Sequence, residues 1–386
     1  MTDRNVAVVT GTRAEYGLVR SSMHAIQNSG ALSLTTIVTG MHLSPQFGST
    51  VDEIRDDGFE VTRKVNMLLH GNNETTTAKS LGIGISGLAE AFHDCAPDIV
   101  LVAGDRNEVL AAGVTAANMN IPLAHIHGGD KTVGATIDNR IRHALTKFAD
   151  LHFPASAESA ERIRKLGEEE WRITTVGAPG LDRIVAGEYT SPDVRKQFGF
   201  DPNEPIVVVL QHPVTTQPDR AGEHMQTTLN ALADVGENLQ ILHIHPNSDP
   251  GSEAICDTIA SIEIDNSYHT VTNLPRSLFL GTLAAADALV GNSSCGIIEA
   301  PSFGLPVVDI GPRQESRERA ENVVHVPHEQ AAITAAVEDC LFDLATKEVA
   351  ANCENPYYYG GAGETVTARL SDVSLGQNLL QKQITY

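Results

Sequence analysis

The pattern that most limits what this chain can fold into is an end-to-end alternation of short apolar, β-branched runs with stretches of helical spacing. Such runs, bounded by turns, read as strands buried on both faces, and a strand–helix–strand succession requires parallel sheets covered by helices. In the first half the strands are read near NVAVVT (5–10), LTTIVT (34–39), DIVLVAG (98–104), PLAHI (122–126), DLHFP (150–154) and RITTV (172–176). The second half restarts with IVVVL (206–210), LQILHIH (239–245), YHTVT (268–272), ALVG (288–291) and PVVDI (306–310). The fold class expected is α/β, with two Rossmann-like doubly wound domains, and the Gly- and Pro-rich stretch GAPGLDRIVAGEYTSPD (177–193) is the natural boundary. The division expected is 1–178 and 179–365.

A chain of 386 residues with 41% hydrophobic content can bury two ordinary cores. No apolar run approaches the roughly 18 residues of a membrane span. The opening MTDRNVAVVTG lacks the basic start and long apolar stretch of a signal peptide. Cys95, Cys256, Cys295, Cys340 and Cys353 are scattered without metal-ligand spacing, which suits a reducing cytoplasm and argues against a disulfide framework. The formal charge is −22, from 49 acidic and 27 basic residues, which disfavours a nucleic-acid partner. Only 8 of the basic residues are lysines, against 19 arginines. An acidic, lysine-poor surface suggests a salt-rich cytoplasm, where screening relieves self-repulsion. Arginines and histidines nevertheless cluster in glycine-rich loops, so an anionic small molecule can find a local positive site.

The polar motifs fall at strand ends, where open parallel sheets place their ligands. VVTGTRAEYG (8–17) is a strand, a glycine turn and a helix start; backbone N–H groups there attract phosphate, and Arg13 adds a charge-assisted bond, although a tight turn with a solvated arginine is as good a reading. GDRNE (104–108) places Asp105 and Arg106 at another strand end; helix capping explains the Asp but not the Arg. In HIHGGDKTVGATIDNRIRH (125–143) the strand ends in His125 and His127, and Asp130 and Asp138 follow before a basic helix with Ile141, Leu145 and Phe148 on one face. Asp105, Asp130 and Asp138 therefore converge on one sheet edge, with Asp138 also readable as an N-cap. The i, i+2 histidines could pair on a metal, but no third ligand stands at short spacing. A structural role suits His125 better, and His127, followed by two glycines, has room to face a ligand.

In the second half, LQHPVTT (210–216) and HIHPNSDPGS (243–252) again put polar residues directly after strands. In LVGNSSCGIIEAPSFGLPVVDIGPRQ (289–314) a strand delivers Asn292, Ser293 and Ser294 into a turn, with IIEAPSFG expected to follow as a helix. Hydroxyls and N–H groups at that helix start suit a diphosphate, and Glu299 suits ribose hydroxyls. Capping by the serines explains neither Glu299 nor Arg313. GNSSCG lacks the G-x-S-x-G elbow of a serine hydrolase, and Cys295 reads as a small packed residue.

TGTRAEYG, VTGMHLS, GDRNEVLAA, HIHGGDKTVGATIDNRIRHALTK, LQHPVTT, GNSSCGIIEAPSFG and GPRQESRERAENVVHV span nearly the whole chain in order. Together they resemble the hydrolysing UDP-N-acetylglucosamine 2-epimerases that begin sialic-acid synthesis. The resemblance implies a glycosyltransferase-B arrangement, with the sugar nucleotide in a cleft between two Rossmann-like domains and a final helix, about 366–386, crossing back to the first. It implies that Ser293 and Ser294 hold phosphate, Glu299 the ribose, and Arg313 and His212 the anionic or sugar end. Asn247 would be a further nucleotide contact, Arg13 and Arg106 would close on the diphosphate, and His42 and Arg142 would orient the substrate.

The reaction implied is inversion at C2 with loss of UDP, through a glycal, giving free N-acetylmannosamine. No cofactor or metal is called for, despite the Rossmann-like domains. Asp105 and Asp138 match family acids directly. Many members have Glu where this chain has His127, and others read HIHGGE, so Asp130 and His127 both remain candidates for the second proton, with Asp130 preferred. The same motifs admit a UDP- or GDP-linked 2,4-diacetamido-trideoxyhexose of legionaminic-acid synthesis as substrate. GDR and QHPVTT argue against a non-hydrolysing epimerase. The three carboxylates argue against a mere nucleotide-sugar binder, because acids beside a bound anion cost affinity unless they perform chemistry. A cytoplasmic homodimer or homotetramer is what the family suggests.

Overall fold

In the computed structural model, the described residues are 3–45, 50–70, 73–131, 137–189, 194–214, 216–236, 239–246, 249–261 and 267–386. They form two compact units, one from Met1–Lys131, Thr136–Asp182 and Tyr357–Tyr386, the other from Arg183–Pro356.

The first unit is built on β1 (Arg4–Thr10), β2 (Leu32–Thr39), β3 (Arg63–Val65), β4 (Ile99–Ala103), β5 (Leu123–Ile126) and β6 (Leu151–Phe153). All pairings are parallel, in the order β3-β2-β1-β4-β5-β6. Alternate side chains of β1 feed the two faces: Val6 and Val8 enter one core, Ala7 and Val9 the other. Double-sided burial is what makes these strands read as unbroken apolar runs. The second unit repeats the topology with β7 (Ile206–Leu210), β8 (Gln240–Ile244), β9 (Tyr268–Val271), β10 (Ala288–Gly291), β11 (Val307–Ile310) and β12 (Val323–Val326), in the order β12-β11-β10-β7-β8-β9. In each sheet the strand order reverses beside the first strand, at β1/β4 and at β7/β10, and such switch points open ligand crevices at the strands' carboxyl ends.

Two expectations are corrected, and two strands are added. RITTV is not a strand: Glu170–Arg172 is a 3-10 turn, and only an isolated bridge joins Ile173 to His152. The cause is Arg172, which turns inward, 1% exposed, to donate to the carbonyls of Asp150, Asn378 and Leu379. IIEAPSFG is not one helix but a four-residue turn, Cys295–Ile298, followed by a 3-10 turn, Ala300–Phe303. Pro301 has no N–H to continue an α-helical ladder. The edge strands β3 and β12, half in solvent, lack the apolar signature of the others.

The helix Ala362–Asp372 packs on the helix Arg13–Gln27 of the first unit. Gly363 permits the close approach, since a Cβ there would lie 2.6 Å from the Ser21 carbonyl. Asp182 caps this terminal helix, accepting from Ala362 N at 3.0 Å and Gly363 N at 2.9 Å. Further on, Lys382 Nζ donates to the carbonyls of Thr146, Lys147 and Ala149, at 3.1, 3.2 and 2.6 Å. The carboxy-terminal tail thus caps the helix Asp138–Phe148. Among the described residues no helix is long and apolar enough to cross a membrane.

Candidate active site

In the first unit, the end of β5 turns sharply. His127 has φ +62° and Gly129 φ +79°, and a Cβ on Gly129 would lie 2.1 Å from the Ser159 carbonyl oxygen. The left-handed backbone at His127 ends the strand alternation, and the two histidines take separate partners. His125 is wholly buried, bonds the Gly104 carbonyl through Nε2 at 2.7 Å, and is held near pKa 4 chiefly by burial. It is a structural histidine.

His127 meets Asp130 through Nδ1···Oδ2 at 3.1 Å, and Ser159 Oγ donates to the other oxygen of Asp130 at 2.7 Å. Both residues are nearly buried, at 5% and 9% exposure. From the basic helix, Arg142 reaches back: one guanidinium nitrogen pairs with the Asp105 carboxylate, and another donates to the Asp130 carbonyl at 3.0 Å and to Asn139 Oδ1 at 2.8 Å. Asp138 lies one turn before Arg142, on the same helix face. It is the first residue of the helix; the capping position falls to Ile137, so the N-cap reading is set aside. Likewise Arg106, not Asp105, occupies the cap before the helix Asn107–Asn118. Ile141 and Leu145 are buried as the helical spacing predicts, whereas Phe148, at the helix end, is 37% exposed.

Arg13 starts the helix after β1 and pairs with Glu53 at 3.0 Å; Arg106 is exposed. His42 sits wholly buried, with both ring nitrogens engaged, by Thr10 Oγ1 at 3.1 Å and Thr50 Oγ1 at 2.6 Å. Burial holds it near pKa 4, so it is neutral and acts on the β1 end through Thr10.

Two buried acids beneath the same loop were not singled out from sequence. Glu15 accepts from Gly11 N at 2.7 Å, and Glu108 packs so closely that a Cβ on Gly11 would come within 2.3 Å of its Cγ. Burial, then the Glu108 charge, raises Glu15 to about 8, so it is mostly protonated at neutral pH. A carboxyl whose folded pKa is raised contributes stability that is full below its unfolded value and is lost as pH rises through about 8. Glu15→Gln, which keeps the neutral shape, is therefore expected to gain in melting temperature relative to the parent between pH 6 and pH 9. A constant difference across that range would contradict the assignment.

In the second unit, Asn292 organises three strand ends. Its side chain accepts from His212 N at 2.7 Å and donates to His212 O at 2.9 Å, while its own carbonyl receives Arg313 Nη1 at 3.1 Å and Gln314 Nε2 at 2.9 Å. Ser293 Oγ accepts from Cys295 N at 3.4 Å, and Ser294, half-buried, stands at the cap of the short turn without a side-chain cap bond. Burial drives the Cys295 thiol up to about 12, which removes it as a nucleophile. Glu299 pairs with Arg276, a residue no motif marked. Buried Asp309, at the end of β11, holds His325 Nδ1 at 3.0 Å and Arg319 at 3.5 Å, steadying the segment that carries Arg313. Asn247 lies outside the described residues.

Asn292→Ala would strip two backbone hydrogen bonds from His212 and loosen the loop end that carries Ser293. With unmade bonds costing about 1–3 kcal/mol, the variant should melt several degrees below the parent. An unchanged melting temperature would show that the clamp does not hold these strand ends together.

The family model described as UDP-N-acetylglucosamine 2-epimerase matches residues 24–371. A UDP-N,N'-diacetylbacillosamine 2-epimerase (hydrolyzing) of Legionella pneumophila is 37% identical over 384 residues, 99% of this chain and 100% of that one. A UDP-N-acetylglucosamine 2-epimerase of Neisseria meningitidis serogroup B is 30% identical over 370 residues, 96% and 94% of the two chains. Among solved structures, the UDP-GlcNAc 2-epimerase of Neisseria meningitidis bound to UDP-GlcNAc shares the fold, with a TM-score of 0.82, 18% identity, and 95% and 99% of the chains covered.

Proposed function

The chain belongs to the UDP-N-acetylglucosamine 2-epimerase family and is a hydrolysing 2-epimerase, and on that premise we propose that its substrate is UDP-N,N'-diacetylbacillosamine, a UDP-linked 2,4-diacetamido-trideoxyhexose. The observation that carries this choice is the 37% identity, over the full length of both chains, to the Legionella enzyme named for that substrate. UDP-N-acetylglucosamine is the second reading, favoured by the Neisseria relative at 30% identity.

In this proposal the second unit takes the nucleotide: Ser293 and Ser294 the diphosphate, Glu299 the ribose, Arg313 and His212 the anionic or sugar end, with Asn247 a further contact. Arg13 and Arg106 add positive charge at the diphosphate. Of the two acids Asp105 and Asp138, one carboxylate removes the C2 proton and keeps it. The C2–H electron pair becomes the C1=C2 bond of a glycal as the C1–O bond breaks and UDP leaves with its pair. Water then adds at C1 while a proton returns to the other face of C2. Because C2–H is weakly acidic, stabilising the departing diphosphate carries much of the barrier reduction. The reading implies a cytoplasmic homo-oligomer, and an acidic surface suited to salt.

Proton NMR in salt-containing deuterated buffer tests it. Incubation with UDP-N,N'-diacetylbacillosamine should yield UDP and the free manno-configured sugar carrying deuterium at C2. Faster turnover of UDP-N-acetylglucosamine would transfer the assignment to the second reading, and a product still bearing UDP would overturn hydrolysis.

A further inference from the structure

Resting on the reading of the chain as a hydrolysing 2-epimerase, we propose that His127 is the catalytic residue of the hydration half-reaction, delivering the proton to C2 of the glycal, with Asp130 and Ser159 as its positioning residues. This reverses the order of preference drawn from the sequence, where Asp130 stood first.

The geometry decides it. Asp130 has both carboxylate oxygens committed, one to His127 Nδ1 at 3.1 Å and one to Ser159 Oγ at 2.7 Å. Its place is fixed further by Arg142, which holds its carbonyl at 3.0 Å. A carboxylate so placed orients and charges its neighbour; it does not reach out. His127 is the reverse case: its Nδ1 is tied to Asp130, and its Nε2, buried, has no hydrogen-bond partner among the described residues. An unpaired ring nitrogen in a nearly buried side chain costs stability unless a ligand completes it. The left-handed φ of +62° at His127, unusual for a residue with a Cβ, adds local strain at the same residue. An imidazole with its far nitrogen tied to a carboxylate is the arrangement by which proteins make a proton donor and acceptor of fixed tautomer.

The step balances. Imidazolium Nε2–H gives its proton to C2, and the C1=C2 π pair becomes the new C2–H bond. The attacking water forms the C1–O bond, and its second proton returns to Nε2, so that His127 ends as it began. Asp130 stays ionised and balances the imidazolium charge. Among the described residues, the charged or titratable groups around this pair include buried His125, Arg142 and, across Arg142, Asp105, with Arg162 anchored on the Gly129 carbonyl at 2.6 Å and Asp138 at the start of the neighbouring helix. All are common to the parent and the variants below, so a change in pH profile reports the dyad.

The test separates the two half-reactions by proton NMR on UDP-N,N'-diacetylbacillosamine, with the melting temperature of each variant as the folding control. His127→Gln should still release UDP and accumulate the glycal while formation of the free manno-sugar falls by about a thousandfold, within the range general acid–base groups contribute. His127→Glu should restore much of it. Asp130→Asn should lower product formation about a hundredfold and move the alkaline limb of the kcat profile to lower pH, because the imidazolium loses its counter-charge. Ser159→Ala, a milder change, should cost roughly three- to tenfold with the same shift in direction, as one lost hydrogen bond would. The proposal is overturned if His127→Gln forms product within about threefold of the parent, or if it melts like the parent yet releases neither UDP nor glycal. It is equally overturned if Asp130→Asn is the more damaging change and leaves the pH profile unmoved. A parent that consumes neither UDP-sugar removes the hydrolysing-epimerase reading itself, and this inference with it.

Discussion

Arg142→Met is expected to lower kcat by about two to three orders of magnitude, with UDP affinity unchanged within roughly twofold. Arg142 is 5% exposed, and its guanidinium joins three acceptors from different parts of the fold: the Asp105 carboxylate at the end of β4, the Asp130 carbonyl after β5, and Asn139 on its own helix. Removing it breaks a link between the Asp105 carboxylate and the Asp130 backbone, at two neighbouring strand ends. Breaking the pair also leaves the Asp105 carboxylate, 22% exposed, without its charge partner, at a cost of about 1–3 kcal/mol. Arg142→Lys should rescue little, since an ammonium cannot match a planar fork already spread over separate acceptors. UDP affinity belongs to the other unit in the proposed division of roles, which is why the two readouts should part. Steady-state kinetics and calorimetry on the same preparation decide the matter. Equal losses in both would mean that Arg142 supports the nucleotide site or the fold at large.

Glu168→Gln should produce the largest loss of stability. The Glu168 side chain is fully buried and accepts from Lys147 Nζ at 2.6 Å, Lys382 Nζ at 2.6 Å and His152 Nε2 at 3.1 Å. Burial alone would raise its pKa, but the three donors outweigh burial and hold it near 2. Without the carboxylate charge, Lys382 is left buried among carbonyls with Lys147 beside it, and the tail that caps the helix Asp138–Phe148 loses its anchor. A loss of about 3–5 kcal/mol is expected, on the order of 10 °C in melting temperature for a domain of this size. The pH dependence has a definite sign. A depressed carboxyl pKa gives stability that is full above the unfolded value near 4.5 and disappears as pH falls through about 2, so parent and variant should converge in that window. A melting difference that persists undiminished into acid would place the stabilisation in packing instead.

Most of the architecture was legible because its signals are local. Val6 to Val9 and Ile206 to Leu210 are buried whichever way they point, so a parallel core strand appears as an unbroken β-branched run. The same logic explains the failures. Val323 to Val326 is an edge strand only partly covered, and Arg63 to Val65 carries two charges into solvent, so neither shows that run. Arg172 belongs to RITTV, which reads as a strand, but its partners Asn378 and Leu379 lie some two hundred residues on.

The site divides in the same way. Residue types and their positions at strand ends were enough to gather Asp105, Asp130, Asp138, His127, Ser293, Ser294 and Arg313 as candidates, because turn glycines and strand periodicity announce themselves within a few residues. Local sequence could not say that Asp130 is held by Ser159, that Glu299 faces Arg276, that Glu15 lies against Glu108, or that Asn292 clasps His212. The sequence by itself determined the two doubly wound sheets and the class of residue at their carboxyl edges, through hydrophobic period and turn chemistry. Only the tertiary structure decided which of those groups pair and which are desolvated, because both depend on groups brought together from distant parts of the chain.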